Sequence, residues 1–257
     1  MSLPVKNQKK IRSNAQTLSF FYFKYIRVLT DHIDEAEVTK LKKKYWYVFI
    51  YSYRKLNLPD FNLKEQVTVV IDLAQGREKI FGKFKKNTRN EIRKTEDMKC
   101  LCFSIPDKDE KKSYNFYKKV KVRDKVNPDI REEFKGCLFF NAYFKKTIIV
   151  SVSCYSNKST LRLKHIVSSR KAGVEEGKLA GYATRRIIWE ICKYGKSHGY
   201  KKLDLAGANL TDPKKAGIAK FKQSFGGDIQ TMYTYRYQRK LFTAIKETVG
   251  ILGKNIN

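Results

Sequence analysis

The sequence predicts a mixed α/β fold in which an open sheet is flanked by helices. Short apolar and aromatic runs of strand length recur along the chain, and turn signals separate them. One long amphipathic helix is predicted over Leu179–Ser197, and from residue 98 onward the elements follow the order β, α, β, β, β, α, β, α, β. With 257 residues and 42% hydrophobic side chains, the chain is long enough to bury a substantial core.

The first 97 residues are predicted to form a smaller, separate region. Tyr45–Tyr53 and Gln66–Leu73 are aromatic or β-branched runs that predict buried strands. A basic helix is expected over Glu78–Asp97, broken near Asn87, because its apolar positions are few and most of its surface is cationic. Without further context, a solvated helix face explains such a run better than a binding site does.

Residues 98–240 are predicted to form the main domain. A helix is expected after the start signal PDKDE, and the helix Leu179–Ser197 should end at Gly199, where glycine favours a left-handed stop. Another helix is predicted over Lys214–Ser224, and residues 241–257 form a basic helical tail. The predicted strands are Lys99–Ser104, Cys137–Phe144, Thr147–Tyr155, Thr160–Ile166, Lys201–Ala206 and Ile229–Tyr237.

The charge of the chain is strongly positive. There are 55 Lys and Arg residues against 25 Asp and Glu residues, a formal net charge of +30. Such an excess favours a polyanionic partner, such as nucleic acid, a nucleotide-linked precursor or an anionic lipid surface. A Lys-rich background composition explains the same number, so charge alone does not choose a partner.

The cysteines and histidines indicate neither a disulfide framework nor a metal site. Five cysteines are scattered without paired spacing, and the three histidines have no ligand-like pattern. We therefore expect a reducing, cytoplasmic setting, no metal and no tightly bound cofactor. No signal peptide or membrane span is expected, although the basic surface leaves peripheral contact with an anionic membrane open.

Two segments carry a family resemblance. The stretch Ile71–Glu96 (IDLAQGREKIFGKFKKNTRNEIRKTE) resembles the IDL...K.K..TRN.IRK segment of the FemABX family, the peptidoglycan-bridge aminoacyltransferases. The stretch Ile187–Gly227, which ends in FKQSFGG, is similar to the later GI..FK..FGG segment of that family. Together they cover about a quarter of the chain. The resemblance implies a GNAT-like fold, with two such halves in full family members, and the first 97 residues are too few for a complete half.

The resemblance also implies a reaction and a site. The donor would be an aminoacyl-tRNA or an acyl-CoA co-substrate, and the acceptor an amine on a nucleotide- or lipid-linked envelope precursor. Phe221 and Lys222 match the FK pair of the family, and the Lys222 ammonium would stabilise the oxyanion that forms during acyl transfer. Asp204 would orient the amine or accept its proton, or it is a structural aspartate that binds a nearby loop amide.

Six further residues are assigned to substrate or phosphate binding. Arg89, Arg93 and Lys94 lie in the TRNEIRK stretch, where they would clamp a pyrophosphate or a tRNA phosphate. Gly207 and Asn209 lie in LDLAGAN, where the family pattern has a second glycine and this chain has either Ala208 after Gly207 or Ala206 before it, depending on the alignment. The last is Arg170, in a segment that partly matches a coenzyme A loop.

Two other function classes remain open at this point. The first is a non-catalytic nucleic-acid-binding protein, which the charge of +30 and the interspersed Tyr and Phe residues favour. The second is an acetyl-CoA-dependent N-acetyltransferase acting on a nucleotide-linked amino sugar. The segment SRKAGVEEGKLA weakens that alternative, because Glu175 stands where a coenzyme A loop needs a small residue.

Overall fold

The computed structural model describes residues 15–20, 23–169, 174–209, 212–213 and 216–239. The chain divides into two compact units. Unit 1 contains the described residues up to Glu65 and those from Met232 onward, and unit 2 spans Gln66–Thr231. The tail predicted over 241–257 lies outside the described residues.

Unit 1 is built on four neighbouring strands and one helix. The strands lie in the order β1, β2, β3, β10, with β2 parallel to β3 and the other pairs antiparallel. The helix begins after Asp34, whose side chain accepts a hydrogen bond from the Glu37 amide at 2.6 Å. The elements of unit 1 are β1 (Ala15–Phe20), β2 (Phe23–Leu29), α1 (Glu35–Lys44), β3 (Tyr47–Ser52) and β10 (Asp228–Gln238), the last of which begins in unit 2.

Unit 2 contains six strands in the order β4, β9, β8, β7, β6, β5. Only β8 and β9 are parallel; the other pairs are antiparallel. Lys145 and Lys146, both with positive φ, form the two-residue turn of the predicted hairpin. The strands are β4 (Asn62–Asp72), β5 (Leu101–Asp107), β6 (Leu138–Phe144), β7 (Thr147–Ser156), β8 (Thr160–Ser168) and β9 (Lys202–Gly207).

The helices of unit 2 cover its sheet. The main core packs α5 against the sheet through Ala183, Ile187 and Ile191, all fully buried. Gly195 allows this helix to lie close, because a Cβ there would be 2.7 Å from Leu73 Cδ1. A second cluster packs Tyr117 of α4 against Phe139 and Val167. The helices are α2 (Arg77–Gly82), α3 (Lys86–Arg93), α4 (Glu110–Arg123), α5 (Val174–Ser197) and α6 (Ala216–Gln223), with a 3-10 turn at Arg131–Phe134.

The element order predicted from residue 98 onward is confirmed, and the predicted mixed α/β class with it. Strands β1 and β2 and helix α1 were not predicted from the sequence. The basic helix predicted over Glu78–Asp97 is two helices, α2 and α3, and the break between them at residues 83–85 lies close to the predicted break near Asn87. The boundary predicted after residue 97 falls inside unit 2, because α3 packs onto α5 and Phe84 contacts Trp189 and Phe225.

Candidate active site

Lys222 lies on α6, facing the end of β9. Its side chain is half-buried, and Nζ donates a hydrogen bond of 2.6 Å to the carbonyl of Gly207. Burial lowers the pKa of Lys222 to about 8; the Asp204 carboxylate raises this pKa and the Arg162 guanidinium lowers it. An ammonium carries three N–H donors, and a single hydrogen bond among the described residues uses one of them. Lys222 is therefore a desolvated cation with donor capacity to spare.

Asp204 is fully buried on β9, and its carboxylate is already engaged. It forms an ion pair with Arg162 of β8 and accepts a hydrogen bond from the Thr68 hydroxyl. It also accepts one from the Ala206 amide at 2.7 Å. The last contact matches the structural alternative that the sequence left open, an aspartate that binds a nearby loop amide. Both oxygens have protein partners, so this arrangement favours a role in holding the end of β9.

The end of β9 is bulged beside Asp204. Thr68 pairs with Gly207 and Val70 pairs with Asp204, so β9 has one more residue than β4 between these pairs. Ala206 has φ +60, a left-handed conformation that residues other than glycine, asparagine and aspartate adopt only with strain. Glycine would adopt this conformation without a steric penalty. The bulge directs the Gly207 carbonyl to Lys222.

The two parallel strands of unit 2 separate at the same level. The pairing of β8 with β9 covers Thr160–Arg162 and Lys202–Asp204, and both strands continue beyond it. Past the Arg162–Asp204 ion pair, the facing edges of the two strands therefore have backbone groups that do not pair with each other. An extended group of a substrate can use such groups for hydrogen bonds.

Phe221 is a packing residue next to Lys222. Its ring is half-buried and makes an edge contact with Phe225, at 5.1 Å between centroids. The guanidinium of Arg185 on α5 lies 5.5 Å from the centroid of the Phe221 ring and pairs with Glu91 of α3 at 3.0 Å. Arg185 was not predicted as a site residue, because its position on the helix indicated only a solvent-facing charge.

The two segments of the family resemblance pack against each other. Trp189 contacts Phe81 and Phe84, with centroid distances of 5.0 and 5.7 Å. Phe225 makes an edge contact with Phe84 at 5.3 Å. Gly226 has φ +62, and a Cβ there would overlap the carbonyl of Lys83, so the glycine is required for the close approach. Much of the shared pattern thus serves packing around α6, and Lys222 projects from this packed helix.

The three basic residues assigned to phosphate binding around α3 make different contacts. Arg89 Nη1 donates to the carbonyl of Gly82 at 2.8 Å and to that of Phe84, so it ties α3 to the end of α2. Arg93 and Lys94 are exposed, and their cationic groups lie 5.7 Å from the Phe81 ring and 5.5 Å from the Tyr182 ring.

The other assigned residues lie beyond β9 or outside the description. Asn209 is exposed, and its side-chain oxygen accepts a hydrogen bond from the Asp212 amide at 3.0 Å. Gly207 contributes its carbonyl to Lys222, as described above. Arg170 lies outside the described residues.

Two kinds of feature are absent from the described residues. There, no group of three or more His, Cys, Asp or Glu side chains is arranged to hold a metal ion. No described helix combines the length and apolarity that crossing a bilayer requires. Cys154 is fully buried, and burial raises the pKa of its thiol well above the usual value, which makes it a packing residue.

Comparison with known proteins identifies the fold. The sequence matches no family model, and no curated protein matches it. Among solved structures, the chain is similar to FemX, with a TM-score of 0.56 and 9% identity over 88% of this chain and 83% of that chain. The fold is GNAT-like, as predicted. The chain is also similar to the C-terminal DUF2156 domain of a putative lysylphosphatidylglycerol synthetase from Agrobacterium fabrum (TM-score 0.56, 11% identity, 93% and 86% covered).

A third similar structure is L-PGS from Bacillus licheniformis, with a TM-score of 0.52 and 12% identity over 92% of this chain and 85% of that chain. At such low identity, the likeness concerns the GNAT-like fold and not the substrates. The functional proposal therefore rests on the residues around Lys222.

Proposed function

We propose that this protein transfers an acyl or aminoacyl group to an amino group of a cell-envelope precursor, forming an amide. The single observation that carries the proposal is Lys222, a desolvated ammonium that projects from α6 at the end of β9. The GNAT-like fold and the FemABX resemblance of the flanking segments support an acyl or aminoacyl transferase over other uses of such a cation.

The proposed chemistry is direct transfer without a covalent enzyme intermediate. The acceptor amine attacks the carbonyl carbon of the donor ester or thioester, and negative charge develops on the carbonyl oxygen. An N–H of Lys222 donates to that oxygen, and because the ammonium is already desolvated, little reorganisation is needed during the reaction. The buried Arg162–Asp204 pair holds the end of β9 in place. On α6, the Phe221 ring packs against Phe225, and the Arg185 guanidinium of α5 lies near the Phe221 ring.

Donor and acceptor are proposed as classes. The donor is an aminoacyl-tRNA or an acyl-CoA co-substrate, and the exposed cations Arg93 and Lys94, with Arg170, Gly207 and Asn209, are proposed to contact its phosphates or the acceptor. The acceptor is a nucleotide- or lipid-linked precursor. A lipid-linked acceptor gains support from the names of two similar structures, a lysylphosphatidylglycerol synthetase domain and L-PGS. Peripheral contact with an anionic membrane at the cytoplasmic face would then bring enzyme and acceptor together.

A panel of donors and acceptors tests the proposal. Wild-type protein is incubated with radiolabelled acetyl-CoA or charged tRNA and with UDP-linked muropeptide precursors, UDP-amino sugars or phosphatidylglycerol vesicles, and labelled product is quantified. We expect one donor–acceptor pair to be turned over. Lys222→Ala should reduce kcat about 100- to 1000-fold, the usual effect of removing one oxyanion donor.

Lys220→Ala is the matched control, because Lys220 lies on the same helix and is exposed. It should keep wild-type kcat. Full activity of Lys222→Ala would refute the site. Salt-sensitive tRNA binding with no turnover of any donor would instead support a nucleic-acid-binding protein, and turnover restricted to acetyl-CoA with an amino sugar would support the N-acetyltransferase.

A further inference from the structure

A cluster of charged side chains lies between α4, the 3-10 turn and β8. Asp129 Oδ2 is 2.8 Å from His165 Nε2 and 2.6 Å from Lys164 Nζ, and Glu133 is 3.3 Å from the same ammonium. The Tyr117 hydroxyl accepts a hydrogen bond from the Asp129 amide at 3.1 Å and is 3.5 Å from His165 Nε2. These five residues are called the Asp129 cluster. The chemistry proposed above uses none of them.

A bulge in β8 turns the cluster toward the same face of the sheet as Arg162. Ser153 pairs with His165 and Cys154 pairs with Leu163, so Lys164 is an extra residue in β8. Leu163 points into the core beneath α5, as Leu161 does, and Arg162 therefore faces the other way. The extra residue brings His165 onto the face of Arg162, where its ring contacts Tyr117 of α4.

Strand β8 carries both His165 and Arg162, the partner of Asp204 at the proposed transfer site. Arg162 pairs with Asp204, and the Lys222 ammonium is close enough for both charges to shift its pKa. His165 lies three residues further along β8, past the point where β8 separates from β9. Both side chains thus lie on the same face of the sheet. Arg162 lies where the separation of β8 from β9 begins, and His165 lies within the separated part.

The charged groups around His165 in the Asp129 cluster have a net negative charge. Asp129 and Glu133 carry two negative charges and Lys164 one positive charge, so a protonated His165 would make the cluster neutral. Burial would raise the pKa of Asp129, yet the hydrogen bond from His165 and the Lys164 ammonium hold this pKa below its usual range. Burial lowers the pKa of His165, Asp129 raises it, and Lys164 and the α4 residue Lys121 lower it. Asp129 therefore remains ionised and His165 is neutral at pH 7.

Buried polar atoms without protein partners lie on the neighbouring strands. Ser153, directly opposite His165 on β7, is 3% exposed, and its Oγ has no partner among the described residues. Asn141 on β6 is fully buried, and its Oδ1 likewise has none there, although its amide donates to Ser113 and Asp107. Such atoms occur where a ligand group or ordered water completes the hydrogen bonding, so the face near His165 is suited to a polar ligand.

We propose that His165, held by Asp129, accepts the proton that the acceptor amine must lose before it attacks the donor. This inference rests on the proposed function. The acceptor enters as an ammonium, one N–H bond breaks, and the proton moves to His165 Nδ1, the ring nitrogen not bound to Asp129. The freed lone pair forms the C–N bond as the C–O or C–S bond of the donor breaks. A second amine proton goes to the leaving oxygen or sulfur, and the imidazolium later releases its proton to solvent.

Rates of amide formation from pH 5 to 9 test this role in the full-length protein, with the donor–acceptor pair that the wild type turns over. His165→Gln should lower kcat about 100-fold or more with little change in KM, and the rising limb of the pH profile should disappear. Asp129→Asn should move the rising limb to lower pH, because His165 loses the carboxylate that raises its pKa. His198→Gln is the matched control, since His198 is an exposed histidine at the end of α5.

A His165→Gln protein with wild-type kcat and an unchanged rising limb would overturn the inference while the proposed function stands. If His165→Gln does not fold, as judged by thermal unfolding, Asp129→Asn decides: an unshifted limb overturns the inference and a shifted limb supports it. A wild type that turns over no donor–acceptor pair refutes the proposed function itself, and the proton acceptor with it.

Discussion

Two lysine ammonium groups of unit 2 are withdrawn from solvent, and their surroundings differ. Lys164 has a side chain that is 5% exposed, lies between Asp129 and Glu133, and is 4.9 Å from the Phe134 ring centroid and 5.5 Å from that of Tyr155. Lys222 is hydrogen-bonded to one backbone carbonyl, and the carboxylate near it, Asp204, is already paired with Arg162.

The difference distinguishes an ammonium that stabilises the fold from one that can stabilise negative charge during a reaction. Lys164 has compensating charges on two sides, so its ammonium contributes to holding the loop around Asp129 on the sheet. The Asp204 carboxylate near Lys222 is already paired with Arg162, so it compensates the ammonium only in part, and burial lowers the pKa of Lys222 to about 8. A desolvated cation with spare donors is unfavourable in the free protein and becomes favourable when negative charge develops beside it.

The largest expected effect on stability comes from Lys164. Lys164→Ala removes the only ammonium that the described structure places between the Asp129 and Glu133 carboxylates, and leaves them facing each other. We expect the free energy of unfolding to fall by about 2–3 kcal/mol, measured by urea denaturation at pH 7. Lys118→Ala, at an exposed position on α4, should change it by less than about 0.5 kcal/mol. Equal stability of the two variants would show that Lys164 is not the stabilising cation.

Replacing Lys222 should raise the free energy of unfolding, whereas replacing Lys164 should lower it. Its pKa in the folded protein lies below the ordinary lysine value, so the native state binds fewer protons than the unfolded state between pH 8 and 10.5. Stability from this group therefore rises with pH in that window, and the penalty for burying the ammonium is complete below pH 8. At pH 7, Lys222→Met should stabilise the fold by about 1 kcal/mol, a figure discounted for partial exposure.

The stabilisation expected for Lys222→Met should become smaller as the pH rises from 8 toward 10, because the wild-type amine then becomes neutral as well. Lys220→Met, at an exposed site on the same helix, should show no such pH-dependent difference. Urea denaturation at pH 7 and pH 9.5 measures both. A destabilised Lys222→Met protein at pH 7 would mean that Lys222, like Lys164, is held mainly for stability.

The smallest effect is expected at Ala206, which shapes the bulge that presents the Gly207 carbonyl to Lys222. Ala206→Gly relieves the left-handed strain at φ +60, and the greater entropy of glycine in the unfolded chain offsets part of the gain. We expect a net stabilisation of about 0.5 kcal/mol, measured by thermal unfolding. A clear loss of stability would indicate that the methyl group of Ala206 packs in a way that outweighs the backbone strain.

Much of unit 2 could be predicted from sequence, whereas much of unit 1 could not. Helix α5 and strands β6, β7 and β9 show an apolar periodicity that is recognisable in the sequence alone, because one face of each packs against the core. In contrast, β2 carries Lys24 and Arg27 among its apolar residues, which obscures the pattern. Arg27 is accommodated because its guanidinium lies 5.5 Å from the Phe49 ring, a contact that local sequence cannot reveal.

The candidate site divides in the same way. The FK pair and its glycine-rich neighbour could be found from the family resemblance, and the structure gives Lys222 a desolvated position. The partners of Asp204 and Arg89 could not be predicted, because they come from other strands and from backbone carbonyls. Those contacts favour structural roles for both residues, which their motifs did not specify.

The sequence by itself determined the mixed α/β class, the element order after residue 98 and the position of Lys222 next to a glycine-dependent turn. Periodicity and turn chemistry are local, so they can be read from neighbouring residues. Only the tertiary structure decided which charged groups are compensated, since Asp204 meets Arg162 and His165 meets Asp129 across 42 and 36 residues. Charge compensation depends on distance in space and on burial, and neither quantity is defined until the chain has folded.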